Sequence, residues 1–169
     1  GNMARTAWLD SGTRTYPLAA TYSNNLVNHE QGFDDNTSGT SEPITAYITS
    51  AEFDLDDGHN FMFVWRVLPD MTFANSSADA PTATMYLLPL KNSGSGYVVN
   101  TATNANHSVA NRSYRNVVQT AVLPVEEFTG QIYTRVRGRQ MAIKVESTDL
   151  GVTWQLGSPR LDMRPDGKR

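Results

Sequence analysis

Apolar residues in this chain alternate with polar ones or come in short runs closed by turn residues, and the period of an amphipathic helix is scarce. That pattern predicts strands. The clearest spans residues 44–55, with Tyr47, Ala51, Phe53 and Leu55 on one face and Ile44, Ala46 and Ile48 on the other. It ends in Asp56-Asp57-Gly58-His59-Asn60, a strong turn signal. Residues 61–68 read as the return strand. Phe61, Phe63, Trp65 and Val67 form one face, and Met62, Val64 and Leu68, interrupted by Arg66, form the other. A strand apolar on both faces belongs between layers or between subunits. Pro69-Asp70 closes it, and residues 75–81 read as a loop. The next strand is 82–90, with Met85 and Leu87 opposite Tyr86 and Leu88; Pro89 within it predicts an edge position or a bulge. Residues 91–96 read as an exposed turn, 100–112 as a surface loop, and 114–123 as a further strand closed by Pro124.

Residues 132–146 carry the most legible pattern. Arg135, Arg137 and Arg139 stand at i, i+2 and i+4, so one strand face is positive while Ile132, Thr134 and Val136 face away. Beyond Gly138 the parity inverts, and Met141, Ile143 and Val145 fall on the arginine register. One regular strand would place three arginines and three core residues on the same face, so a bulge or tight turn is expected near Gly138. Val152, Trp154 and Leu156 alternate into a last strand, and Leu161 and Met163 continue the pairing before a polar end. Ala7-Trp8-Leu9 and Tyr16-Pro17-Leu18 read as short strands in an otherwise turn-rich beginning. The expected fold is mainly β: an antiparallel β-sandwich or jelly-roll-like domain over 44–169, with an irregular N-terminal arm, or the remnant of a preceding domain, over 1–43. Its expected core includes Ile48, Phe53, Phe61, Phe63, Trp65, Met85, Leu87, Val118, Ile143, Val145 and Trp154.

With 169 residues the chain can bury a core without staples, and it contains no cysteine for disulfides or thiolate metal sites. No apolar run approaches a membrane span. Its opening, Gly1-Asn2-Met3, reads as the start of a fragment or processed piece. Charge is unevenly placed. Residues 131–169 hold eight basic and four acidic residues, net +4, which leaves −7 for the first 130 residues of a chain whose total is −3. Such asymmetry suggests surfaces with different partners.

Catalytic patterns are missing. His29, His59 and His107 lie in polar, turn-rich stretches, and His29-Glu30 is at most half of an acid–base pair. There is no Gly-x-Ser-x-Gly elbow, phosphate-cradling glycine loop or His-Glu-x-x-His. Asp54, Asp56, Asp57 and Asn60 resemble the start of a calcium loop. Glycine comes one position early, however, and no terminal glutamate follows, so turn capping is the expected role. No cofactor or metal is expected. The Arg135, Arg137 and Arg139 face suits phosphate or carboxylate. The acidic remainder of the chain and the absence of aromatics interleaved along that strand argue against nucleic acid; of the alternatives, a subunit interface or a plain solvated face, the interface is favoured.

Three segments are more specific than their physics. Residues 44–70 (ITAYITSAEFDLDDGHNFMFVWRVLPD), 133–147 (YTRVRGRQMAIKVES) and 154–169 (WQLGSPRLDMRPDGKR) resemble, in that order, the C-terminal region of tail nozzle or tail tubular proteins of short-tailed phages. The resemblance implies a β-rich virion structural protein with no catalytic residues, made in the bacterial cytoplasm and built into the tail. It further implies a ring-like homo-oligomer, expected as a hexamer, that contacts other tail proteins and surrounds passing DNA. Two rival readings remain. One is a receptor- or carbohydrate-binding module using exposed aromatics such as Trp8, Tyr22 or Tyr97. The other is a glycan-degrading enzyme, which needs two carboxylates across a cleft.

Overall fold

In the computed structural model, which describes residues 5–10, 12–90 and 121–168, the alternating segments form antiparallel strands, with no helix among them. Three strands, β1 (Arg5–Leu9), β2 (Leu18–Thr21) and β3 (Leu26–Asn28), make a small meander. The stretch expected as an irregular arm thus carries a sheet of its own, followed by a two-stranded pair, β4 (Asp34–Asp35) and β5 (Glu42–Pro43). That meander is thin: Ala19 and Thr21 are buried, while Trp8, Leu9, Tyr22 and Leu26 are more than half exposed.

Two larger sheets hold the core. The first runs β11 (Ala121–Glu126), β10 (Thr82–Leu90), β13 (Gln140–Ser147), then β6 (Ala46–Thr49) with β7 (Phe53–Asp54) further along the same edge. The second runs β12 (Ile132–Gly138), β8 (Met62–Leu68), β15 (Arg160–Pro165). A short pair, β9 (Met71–Thr72) with β14 (Gln155–Leu156), lies beside them. Met62, Val64 and Val67 from β8 and Val136 from β12 meet Ala83, Met85 and Leu87 from β10, Leu123 and Val125 from β11, and Met141 and Val145 from β13 in one apolar cluster. Removing this surface from water is the main force joining the two sheets.

The parity conflict at Gly138 is settled by a change of sheet, with no tight turn. Ile132, Thr134, Val136 and Gly138 point inward from the second sheet; after Arg139 the chain enters the first sheet as β13 and buries Met141. A strand that bends from one sheet into another reassigns its inward face. Gly138 is needed there because a Cβ would stand 2.7 Å from Pro89 Cβ and 2.9 Å from the Gln140 carbonyl oxygen. Pro89 lies on β10 and pairs with Met141 of β13; among the described residues the pairing with β11 on the other side runs from Thr82 to Leu87.

Residues 44–55 and 61–68 do not form the expected hairpin. β6 and β7 pair with β13, whereas β8 pairs with β12 and β15, so the Asp56–Asn60 turn carries the chain from one sheet to the other. Asp56 (φ 56°), Asp57 (φ 52°) and Gly58 (φ 72°) are all left-handed, and successive turns are closed by Gly58 N–H to the Leu55 carbonyl (3.2 Å) and His59 N–H to the Asp56 carbonyl (3.0 Å). Aspartate tolerates this region better than most residues. Between β6 and β7 one extra residue is accommodated near Ser50, whose hydroxyl accepts the Ile143 N–H at 3.0 Å.

The core differs from expectation where these edges and bulges act. Ile48 is 51 % exposed because β6 is an edge strand outside the cluster. On β8, Met62, Val64 and Val67 are buried and Trp65 is exposed. Opposite β15 the register advances two residues on β8 for one on its partner, leaving Trp65 as the bulge residue that shifts the inward parity. Phe61 and Phe63 are therefore half-buried on the outer side rather than core. Met85, Leu87 and Val145 are buried as expected, and Phe53, Ile143 and Trp154 pack against the cluster's margin. Leu161 and Met163, expected to continue the pairing, lie on β15 opposite Val67 and Val64. Val118, and the turn, loop and first part of the strand expected between residues 91 and 120, lie outside the described residues.

Candidate functional site

The outward side of the β12–β8–β15 sheet gathers what the sequence disperses. Cross-strand register places Arg137 and Arg164 on either side of Phe63, and Tyr133 and Asp162 on either side of Arg66. Arg135 and Arg160 stand on the outer sides of β12 and β15, both exposed, and Arg139 borders the same surface at the corner. Five arginines, with Arg139 at the corner, thus share a surface with two aspartates, Asp162 and Asp166, and with Phe61, Phe63, Trp65 and Tyr133. Tyr133 stands on the arginine strand itself, and the other aromatics come from β8 and the turn before it. The bulge at Trp65 turns its indole to this side, where Phe63, Trp65 and Arg164 line an open hollow of about 360 Å³.

Some of these arginines are engaged within the molecule. Arg137 Nε donates to Asp166 Oδ2 at 2.5 Å and its Nη2 donates to the Asp166 carbonyl at 2.9 Å. Arg139 donates to the carbonyls of Gly58 (2.9 Å) and Lys168 (3.1 Å). Their guanidiniums lie 4.1 and 4.7 Å from the Phe61 ring centroid, and that of Arg164 lies 5.3 Å from the Phe63 centroid. Arg66 pairs with Asp162. Such half-exposed pairs hold side chains in place more than they stabilise the fold. Arg135 has no hydrogen-bond or ion-pair partner among the described residues. The three arginines of the sequence pattern therefore separate: Arg135 and Arg137 share the outer face, while Arg139 pins the Asp56–Asn60 turn and the C-terminal end.

Between β11 and β12 the chain makes a tight acidic turn. Thr129 N–H donates to the Glu126 carbonyl at 3.0 Å, and Glu126 N–H donates to the Thr129 hydroxyl at 2.9 Å. These two bonds fix Glu127 and Phe128 at the tip, and Phe128 is 92 % exposed. Sequence patterning alone did not mark it, since a lone phenylalanine beside two glutamates has no periodicity.

A second feature lies at the N-terminal sheet. Arg5, Asn28, His29, Asp34, Asp35 and Thr37 are among the residues lining a polar cleft of about 980 Å³. Arg5 Nε donates to His29 Nε2 at 2.8 Å, so the nitrogen that would serve as a base is already occupied. The Trp8 and His29 rings are 4.5 Å apart at 47°. Asp35 accepts from the Thr37 N–H at 2.8 Å and from its hydroxyl, and these bonds, aided by the positive field of Arg5, hold its carboxyl below the usual carboxylate range.

The calcium-loop residues are used locally. Asp54 accepts from Gln140 Nε2 (3.1 Å) and Asp56 from Asn60 Nδ2 (3.1 Å). Among the described residues no three His, Asp or Glu side chains converge as a metal site would require, and no helix is long and apolar enough to cross a membrane. His107 and Tyr97 lie outside the described residues. No protein-family model and no curated protein matches the chain.

Proposed function

We propose that this chain is a non-catalytic structural domain of a phage tail, a nozzle or tube component that assembles with copies of itself, as a hexameric ring, around the path of the genome. The observation that carries the reading is the arginine and aromatic face of the β12–β8–β15 sheet on a chain whose remainder is acidic. Ring subunits meet through two different patches, and a basic patch opposite an acidic one favours the correct encounter. Aromatic and arginine side chains are the types enriched at such contacts. The resemblance of residues 44–70, 133–147 and 154–169 to tail nozzle proteins supports the virion setting, with synthesis in the bacterial cytoplasm and contact with other tail proteins. A positive face beside the conduit also suits weak, sequence-independent contact with DNA phosphates.

Light scattering of the chain over a range of concentration and salt tests the assembly. A ring-sized species at low salt that dissociates as salt rises, and that Arg135→Glu weakens without unfolding the chain, is the expected result. A monomer at every salt and concentration overturns it.

The polar N-terminal cleft beside Trp8 favours a second reading, a receptor- or glycan-binding module, because amide and carboxylate side chains next to an exposed indole suit a sugar's hydroxyls and apolar face. Glycan-array binding that Trp8→Ala abolishes would establish it.

A further inference from the structure

We infer that the Glu126–Thr129 turn of one copy docks into the Phe63–Trp65–Arg164 hollow of the next, with Phe128 as the inserted ring and Glu126 and Glu127 facing the arginines around it. The inference rests on the self-association proposed above and names its contact.

Four observations converge. Phe128 is 92 % exposed, far more than an aromatic ring that has found its place in the fold. It is not on a loose tip: the Glu126 and Thr129 hydrogen bonds fix the turn that presents it, so little conformational freedom is lost when it binds. The hollow of about 360 Å³ is built from two aromatics and an arginine, the lining an incoming ring requires, and has room for one. The charges are complementary: two glutamates directly precede the ring, while Arg164 lines the hollow and Arg135 and Arg137 stand on the same outer face.

The contact is between copies rather than within one. Ile132, just after the turn, pairs with Val67, whereas Phe63 pairs with Arg137 nearer the other end of β8. Four residues of strand separate Val67 from Phe63, roughly 13 Å. The turn lies beyond one end of the sheet and the hollow along its middle and other end, two different patches, which is the arrangement of a heterologous, head-to-tail interface.

Wild-type chain, Phe128→Ala, Glu127→Arg and Arg164→Glu are compared by sedimentation over a concentration series, with circular dichroism confirming the fold; all three positions are exposed. Phe128→Ala and each charge reversal are expected to weaken self-association by about tenfold or more. An equimolar mixture of Glu127→Arg and Arg164→Glu is expected to regain it, because each copy then offers the charge that its neighbour lacks. If the wild type assembles and Phe128→Ala assembles equally well, this contact is wrong while the assembly reading stands. If the same variants assemble normally but lose binding to a different tail protein, the hollow's occupant is that protein and the inference also fails. A wild type that stays monomeric overturns the assembly reading, and this contact with it.

Discussion

Gly138 stands where the chain leaves one sheet for the other, and its missing side chain makes room for Pro89 and for the Gln140 carbonyl. Both obstacles belong to rigid groups, so neither can swing aside. Gly138→Ala is expected to destabilise the fold by about 2 kcal/mol, measured as a lowered urea midpoint with an unchanged slope. Asp35 illustrates a residue whose titration is set locally. Its folded value is depressed, so its contribution to stability is fully present above the ordinary aspartate value, about pH 4, and is lost as pH falls through the lowered value. An NMR titration should place the Asp35 midpoint below the ordinary value, and Thr37→Val should move it upward by removing the hydroxyl bond. A midpoint unmoved by that change would mean that the backbone N–H and Arg5 hold the charge by themselves.

At the scale of the element, β13 does more than its alternation suggests. Its outward side buries Ala142 with Leu88 and Leu90 of β10, and carries Lys144 at 6 % exposure. Lys144 pairs with Glu146 two residues along the same face, and its ammonium lies 5.4 Å from the ring centroids of both Tyr47 and Tyr86. A lysine is tolerated at this depth because its charge is met on several sides. Lys144→Met keeps the length of the stem but leaves Glu146 without its cation, and is expected to cost about 2–3 kcal/mol. Adding Glu146→Leu should recover most of that, since removing both charges is far cheaper than removing one. Equal thermal stability of the single variant and the wild type would show that the pair contributes nothing.

Over the whole molecule, positive charge gathers toward the end of the chain and most of the exposed large apolar groups toward its beginning. The net +4 of residues 131–169 is concentrated by the fold, because β12 and β15 flank β8 and bring Arg135, Arg137, Arg160 and Arg164 together with Arg66. The first 48 residues contribute Trp8, Leu9, Tyr16, Tyr22, Leu26, Phe33, Ile44, Tyr47 and Ile48 as exposed large apolar groups. Surface of that kind is what an assembling subunit covers with its neighbours. The salt sensitivity expected of the assembly follows from this division: screening at about 0.15 M salt reduces attraction beyond about 8 Å, so weakening by salt reports the arginine face, and whatever association persists reports apolar contact.

The sequence determined the class of fold and much of its local detail. Period-2 alternation cannot be satisfied by a helix, so the strands at 82–90 and 132–146 were legible, as were the inward positions Met85, Leu87 and Val145 and the parity break at Gly138. It did not determine which strand pairs with which. Hairpin pairing of 44–55 with 61–68 was the natural reading of a turn-rich connection, but pairing depends on burial of surfaces far apart in the chain, and β8 found more apolar partners between β12 and β15. The bulge at Trp65 escaped the sequence for the same reason: it arises from fitting three strands of unequal register, and it reversed which residues of β8 face the core. The candidate face was half visible. Arg135 and Arg137 announced themselves by spacing, whereas the aromatics beside them, the hollow at Trp65 and the exposed Phe128 exist only because tertiary pairing and one turn set distant residues on the surface.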